Sequence, residues 1–270
     1  MMDANKVIEI IQAAHAKGER PDLRSANLAG LNLEGVNLQG ADLRRANLQH
    51  AKLARADLRG AILIEANLSM ADLHRADLYL ANLHRANLEN AVLDEAHLDQ
   101  ADLQEADLRG ASLQQTNLHV AVLRYANLTG TNLSQASLCR ANLRGANLHQ
   151  ANLQGADLDM VALCGANLSE ANLSETDLED SILTGANLYQ ANLEEANLRG
   201  SDLVMADLHQ ANLSQANLCR ANLERANLSD TDLTEARYDR WTRWPKEFVG
   251  RRAMLYEGKS LLSELTNQSK

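Results

Sequence analysis

The chain has 270 residues, of which 45% are hydrophobic and only 3% aromatic, and its formal net charge at pH 7 is −10. No apolar run reaches the roughly 20 residues that a membrane-spanning helix needs, and no basic face is present to neutralise the phosphates of a nucleic acid. We therefore expect neither membrane insertion nor direct nucleic-acid binding.

The first predicted segment, residues 1–20, is an N-terminal capping helix. An amphipathic pattern over residues 3–17 places apolar side chains on one face, and a glycine follows the pattern. The residues that carry this prediction are the N-cap Asp3, the apolar Val7, Ile10, Ile11 and Ala14, and the terminating Gly18. We expect the helix to cover the first turn of whatever fold follows it.

Residues 21–236 form the second predicted segment, in which leucine occupies every fifth position from Leu23 to Leu233, 43 times without a slip. The residue two before the leucine is alanine in 33 of these units, and the residue just before it is Asn or Asp in 34. A period of five matches neither a helix nor a continuous strand. It fits a strand of about three residues followed by a turn, with Ala and Leu pointing inward and Asn or Asp outward.

The glycines of this segment support the same register. All 11 stand two residues after a leucine, at the position of the predicted corner. A corner that requires positive φ is the place where glycine costs least. The chain is therefore predicted to turn once in every unit.

These tandem A(D/N)LXX units resemble the pentapeptide-repeat family, and in particular its cyanobacterial-type members. The resemblance implies an all-β fold, a right-handed quadrilateral parallel β-helix with four units in each coil. At the spacing of stacked strands, ten to eleven such coils give a rod about 50 Å long.

The third predicted segment, residues 237–270, is a C-terminal cap and tail rich in aromatic residues. Its candidate contact residues are Tyr238, Trp241, Trp244 and Phe248. One interpretation is a packed cap, and the alternative is a homodimer contact or an anchor for a partner, because Trp and Tyr are favoured at binding hot spots. Residues 253–265 are expected to add a final helix.

The sequence offers no catalytic residues, no metal site and no cofactor site, so we do not expect an enzyme. Cys139 and Cys219 would lie four coils, about 19 Å, apart, which is beyond disulfide reach. Outward thiols beyond disulfide reach indicate a reducing compartment, and with no signal peptide this predicts a cytoplasmic protein. The eight histidines are too dispersed to converge on a metal.

With four units per coil, every fourth unit shares a face, and one face differs from the other three. The outward side of the units centred on Leu23, Leu43 and so on to Leu223, here called the neutral face, has net charge 0, whereas the other faces carry −4, −6 and −4. Five units replace the outward Asn or Asp by an apolar residue, and all except Val92 lie on the neutral face. The candidate partner-binding residues are Ile62, Ile64, Val122, Tyr125, Ala162, Ile182, Val204 and Met205. The alternative is that these units have drifted without consequence.

These observations predict a non-catalytic scaffold or regulatory module that binds another protein. The resemblance to cyanobacterial-type members implies a role in a differentiation or signalling pathway. It also supplies an alternative, because some family members imitate duplex DNA and bind DNA gyrase, and the three acidic faces are compatible with such mimicry. A purely structural rod is the third hypothesis.

Overall fold

The computed structural model describes residues 3–246, 248, 255–256 and 259–260. Helix α1 spans Ala4–Ala16, and the repeat region follows it. Near the C-terminus, strands β1 (Arg237–Tyr238), β2 (Leu255–Tyr256) and β3 (Lys259–Ser260) form one sheet in the order β1-β2-β3. Strand β2 pairs in parallel with β1 and antiparallel with β3.

The repeat region completes one coil in every four units. Parallel bridges join each outward position to the equivalent position four units later, in four columns that begin at Asp22, Asn27, Asn32 and Asn37. In the first column, the amide of Leu23 donates to the carbonyl of Asp42 at 2.8 Å, and the amide of Asp42 donates to the carbonyl of Pro21 at 2.8 Å. Backbone hydrogen bonds of this kind therefore join each coil to the coils before and after it.

Alanine and leucine side chains fill the interior of the coil, as the repeat pattern predicts. Of the 43 repeat leucines, all except Leu228 are buried, and they form one cluster with the inward alanines. Where a hydroxyl replaces alanine, it is paired within the core, as in Thr131, which donates to the carbonyl of Leu128 at 2.7 Å. Burial of a leucine contributes roughly 1.5–3 kcal/mol by transfer from water, so the core stabilises the rod along its whole length.

Every corner of the coil contains a residue in the left-handed region. The amide of Ala26 donates to the carbonyl of Leu23 at 3.1 Å, which closes a β-turn, and the equivalent bonds recur along the chain. The residue two after the leucine has positive φ in all units, 11 glycines and 32 other residues. Glycine therefore marks the corner correctly, but the backbone imposes the same conformation at each corner whatever the residue.

Val120 occupies one of these corners with φ of 58° and is exposed. A β-branched residue is strained in this conformation, which Asn tolerates much better. We expect Val120→Asn to raise the free energy of unfolding by about 1 kcal/mol, measured by chemical denaturation. Gln135→Asn, at a corner without a branched side chain, is the control, and a Val120 variant no more stable than this control would contradict the strain argument.

The outward Asn and Asp residues complete each corner with a side-chain hydrogen bond. In all 34 units that carry one, its Oδ1 accepts from the backbone amide two residues later, at 2.9–3.3 Å. Stacked amides also bond to one another, as when Asn152 donates to Asn132 at 3.1 Å. A short polar side chain beside a turn is suited to bond with neighbouring backbone amides in this way.

Helix α1 begins and ends as its sequence predicts. The Asp3 carboxylate accepts from the Lys6 amide at 2.8 Å, which satisfies one of the free amides of the first turn. Gly18 has φ of 67°, and the amide of Glu19 reaches back to the carbonyl of Ala14 at 2.9 Å, which is a Schellman ending. Val7 and Ile11 are buried in the same cluster as the repeat leucines.

The helix expected over residues 253–265 is wrong where the structure describes that segment. Leu255–Tyr256 and Lys259–Ser260 are strands β2 and β3 instead. The strand edge at β1 provides backbone donors and acceptors that an extended segment can satisfy, and this favours sheet over helix at the end of the rod. The other residues of 253–265 lie outside the described part of the chain.

Candidate functional site

The neutral face follows one column of backbone bridges along the rod. This column repeats every 20 residues from Asp22 to Asn222, ends at Arg243 after a step of 21 residues, and contains four of the five apolar substitutions, at Ile62, Val122, Ala162 and Ile182. Their side chains lie on the outside of the coil, where Ile182 is 38% exposed and the other three are half-buried. The structure thus places the predicted residues on one side.

Six of the predicted residues lie within five successive coils of the neutral face and are here called the apolar patch: Val122, Tyr125, Ala162, Ile182, Val204 and Met205. Ala162 and Ile182 are direct bridge partners on adjacent coils, and Met205 lies on the next coil with 52% of its surface exposed. Tyr125 is 58% exposed, and the guanidinium of Arg124 lies over its ring at 5.5 Å. The patch spans five coils.

Ile62 and Ile64 are not part of this region. Ile62 is three coils, about 14 Å, from Val122 at the spacing of stacked strands, and Asn82 and Asp102 lie between them in the column. Ile64 lines a separate hollow of about 300 Å³ together with Arg24, Ser25, Arg44, Arg45 and Glu65. The eight predicted residues are therefore divided between two places.

A glycine edge borders the apolar patch. One column of corner residues runs, from Tyr125 onward, through Gly145, Gly165 and Gly185 to Met205. The Tyr125 ring covers Gly145, where an added Cβ would lie 2.6 Å from ring atoms, but the space beyond Gly165 and Gly185 is open. A partner backbone can approach such an edge closely because no side chains project from it.

The opposite corner of the neutral face adds apolar residues that the sequence reasoning missed. Leu80, Val120 and Met160 are exposed, and they follow one another on every second coil. Each stands two residues after a repeat leucine, where most units have a polar residue or glycine. An inspection of that position for apolar residues would have found them.

The apolar residues at the outward positions of the neutral face lack the side-chain hydrogen bond that Asn and Asp make in other units. Wherever Asn or Asp is present, it accepts from the amide two residues later, but Ile62, Val122, Ala162 and Ile182 carry no acceptor. A typical hydrogen bond of this kind contributes about 0.5–1.5 kcal/mol. Three of the four units that lack this hydrogen bond lie in the apolar patch. This is the arrangement expected if the apolar residues were selected for binding and not for the stability of the fold.

Charge is distributed unevenly beside the patch. From Arg24 to Arg109 most arginines pair with carboxylates, for example Arg45 with Glu65 at 2.7 Å and Arg85 with Glu105 at 2.8 Å. Between Arg144 and Arg199 the sequence contains no Lys or Arg. This acidic belt includes Asp159, where burial and the nearby Asp177 raise the pKa of the carboxyl.

The thiol of Cys139 is not activated as a nucleophile. Cys139, Cys164 and Cys219 are half-buried. Burial, together with the charges of Asp157 and Asp159, raises the pKa of the Cys139 thiol, which lowers the fraction of reactive thiolate. Within the described residues no group of three or more His, Cys, Asp or Glu side chains converges as a metal site would require.

The four candidate aromatic residues at the C-terminal end separate into two environments. Tyr238, Trp244 and Phe248 contact one another, with ring centroids 5.7 Å apart for Tyr238 and Trp244 and 4.9 Å apart for Trp244 and Phe248. All three pack against the core of the rod. Trp241 instead projects outward and is 50% exposed.

In the part of the chain that the structure describes, no helix combines the length and the apolar character that a membrane span needs.

Comparison with known proteins places the fold in context. The family model for pentapeptide repeats matches residues 22–47, 41–78, 81–119, 121–159, 163–200 and 201–237, and proteins of this family fold as right-handed β-helices. No curated protein matches the chain significantly.

Several solved structures are similar. HetL, a pentapeptide repeat protein involved in heterocyst differentiation regulation in the cyanobacterium Nostoc sp. strain PCC 7120, is 35% identical, with a TM-score of 0.55 over 87% of this chain and 97% of its own. Rfr23 from the cyanobacterium Cyanothece 51142 is 39% identical, covering 44% of this chain and 87% of its own, with a TM-score of 0.27. QnrB1, a plasmid-mediated fluoroquinolone resistance protein, is 19% identical, covering 76% and 90%, with a TM-score of 0.44. The extent of the family match and the likeness to HetL lead to one conclusion, that this protein belongs to the pentapeptide repeat family.

Proposed function

We propose that this protein is a non-catalytic interaction module that binds another protein through the apolar patch of its neutral face. The observation that carries the proposal is the presence of Ala162, Ile182, Val204 and Met205 on one face of three successive coils. Exposed apolar surface is an aggregation liability unless a partner covers it, and here it also replaces stabilising side-chain hydrogen bonds.

The surroundings of the patch indicate the chemistry of the partner. The glycine edge at Gly165 and Gly185 admits an approaching backbone, and the acidic belt supplies negative charge near the same coils. We therefore expect an apolar partner surface with a basic rim, because complementary charge speeds encounter and selects partners.

The likeness to HetL, which is involved in heterocyst differentiation regulation, supports a regulatory role within a differentiation or signalling pathway of the cyanobacterial type. The proposed location of this role is the cytoplasm. In the same proposal the coil is four-sided, helix α1 caps its first turn, and Tyr238, Trp244 and Phe248 cap its last. The burial of Val7 and Ile11 in the repeat core, together with the packing of these aromatic residues, supports both caps.

The test is affinity capture from native cell extract, followed by reconstitution with the purified captured protein. The variant Val122→Asp/Ile182→Asp/Met205→Asp places three charges in the apolar patch. The control Val92→Asp/Asn132→Asp/Asn172→Asp makes the same change in charge at outward positions of another face. Unchanged circular dichroism would establish that both variants keep the fold.

We expect wild type and control to bind the partner directly and the patch variant to lose at least tenfold in affinity, since an interface core desolvates its apolar anchors. Equal binding by all three proteins would overturn the proposal. Recovery of gyrase subunits by all three would favour mimicry of DNA through the acidic faces instead.

A further inference from the structure

The C-terminal end of the rod carries an arginine-rich surface around the exposed Trp241. The guanidinium of Arg240 lies 4.2 Å from the centroid of the indole ring, and that of Arg220 lies 5.2 Å from it. With Arg243, Asn222 and Thr242, these side chains line a hollow of about 670 Å³. We call this surface the arginine hollow.

The arginines of the hollow differ from those of the first half of the rod. There, Arg44 and Arg59 are held by Asp42 and Asp57. Among the residues that the structure describes, Arg220, Arg240 and Arg243 form no ion pair. A guanidinium stacked on an aromatic ring retains its N–H donors at the edge, where they match the two oxygens of a carboxylate.

The backbone of the hollow is held rigidly in place. The buried carboxylate of Asp239 accepts from the amides of Arg220, Trp241 and Thr242, each at 3.0 Å. Thr242 also donates its hydroxyl to the carbonyl of Leu218 at 2.8 Å. One carboxylate oxygen, Oδ1, therefore receives all three backbone amides and orders the loop. The arginines start from this ordered loop, which lowers the entropy cost of binding.

We propose that the arginine hollow is a second binding site, which takes a short acidic segment of a partner protein with two or three closely spaced carboxylates. It lies at the end of the neutral face, where Asn222 follows the coil of Val204 and Met205 in the same column. The proposal for the hollow does not depend on the function proposed for the apolar patch. Charge complementarity identifies this ligand, because three arginines without an ion-pair partner among the described residues line one hollow of a chain whose net charge is −10.

A nucleic acid fits the surface less well. A long polyanion would have to lie near the acidic faces of the rod, which repel it, and phosphate tracking needs a row of cations and not a single hollow. Guanidinium groups also already lie over the Trp241 ring, where a base would stack.

The experiment uses full-length protein with Trp244→Phe, so that Trp241 is the single tryptophan and its fluorescence reports the hollow. The probe is a capped peptide of four Glu-Gly pairs, compared with its Gln-Gly counterpart, a short DNA duplex and inorganic phosphate. We expect saturable binding of the glutamate peptide alone.

Arg220→Gln/Arg240→Gln is expected to weaken that binding by about tenfold for each arginine, the factor that corresponds to one charge-assisted hydrogen bond. Arg240→Lys keeps the positive charge but removes the planar guanidinium with its paired N–H donors, and we expect it also to weaken binding. The control, Arg225→Gln/Arg237→Gln, removes two exposed arginines outside the hollow and is expected to bind like wild type. An equal loss in the control, preferential binding of DNA or phosphate, or no binding of the glutamate peptide would each overturn the proposal.

Discussion

Truncation of Leu123 to alanine is expected to lower the free energy of unfolding by about 2–5 kcal/mol, the range for large-to-small changes in a packed core. Leu123 is fully buried near the middle of the rod, and coils before and after it leave little freedom for the cavity to close. The measurement is chemical denaturation followed by circular dichroism.

Leu228→Ala is the matched control for this change. The substitution is the same, but Leu228 lies in the last coil and is only partly buried, so less apolar contact is lost. We expect a clearly smaller effect, since a solenoid depends on interfaces between neighbouring coils and its terminal unit has fewer. Equal losses at Leu123 and Leu228 would show that the rod does not respond as a stack of coupled coils.

Replacement of Ala162 by asparagine is expected to act in opposite directions on stability and binding. The new side chain can accept from the amide of Cys164 and donate to Asn142, its neighbour in the bridge column, whereas alanine has little burial to lose. We expect the free energy of unfolding to rise by about 0.5–1.5 kcal/mol. Partner binding is expected to fall, because the amide places a polar group within the apolar patch.

Ser137→Asn provides the comparison for Ala162→Asn. Ser137 is also an outward residue, but on a different face, and its hydroxyl contacts Asp157 at 3.4 Å while the amide of Cys139 receives no side-chain acceptor from it. We expect this variant to gain stability and keep partner binding. If Ala162→Asn stabilised the protein and bound the partner normally, Ala162 would be a drifted repeat residue without a role in recognition.

The parts of the fold that repeat were accessible from the sequence. The Leu23 to Leu233 register identifies the inward residues, and the 11 glycines identify the corners, because these depend on backbone geometry that each unit shares. The ends of helix α1 were equally clear, since Asp3 and Gly18 act through local hydrogen bonds. The number of units in a coil could not be predicted from the repeat itself, because a period of five is compatible with coils of several sizes. The family resemblance supplied this number.

Features that depend on neighbours across coils were harder to predict. Trp241 and Trp244 are three residues apart and look equivalent in the sequence, yet one projects beside arginines and the other packs against the core. Ile62 shares a column with Val122, but only the intervening Asn82 and Asp102 show that the two are separated. The strands at Leu255 and Lys259 were missed because their stability comes from the edge of β1 and not from a local pattern.

The closure of each coil by four units has a consequence for how such a chain can change in length. Loss or duplication of four consecutive units removes or adds one complete coil, and every column on both sides of the change stays aligned. Loss of a single unit between Val122 and Ile182 would instead shift every later unit to the neighbouring face of the coil. Ile182 would then no longer lie in the column of Val122, although the interior of the coil would stay intact. Selection for a continuous recognition surface therefore favours gene duplications in multiples of four units, even though the core alone would tolerate one.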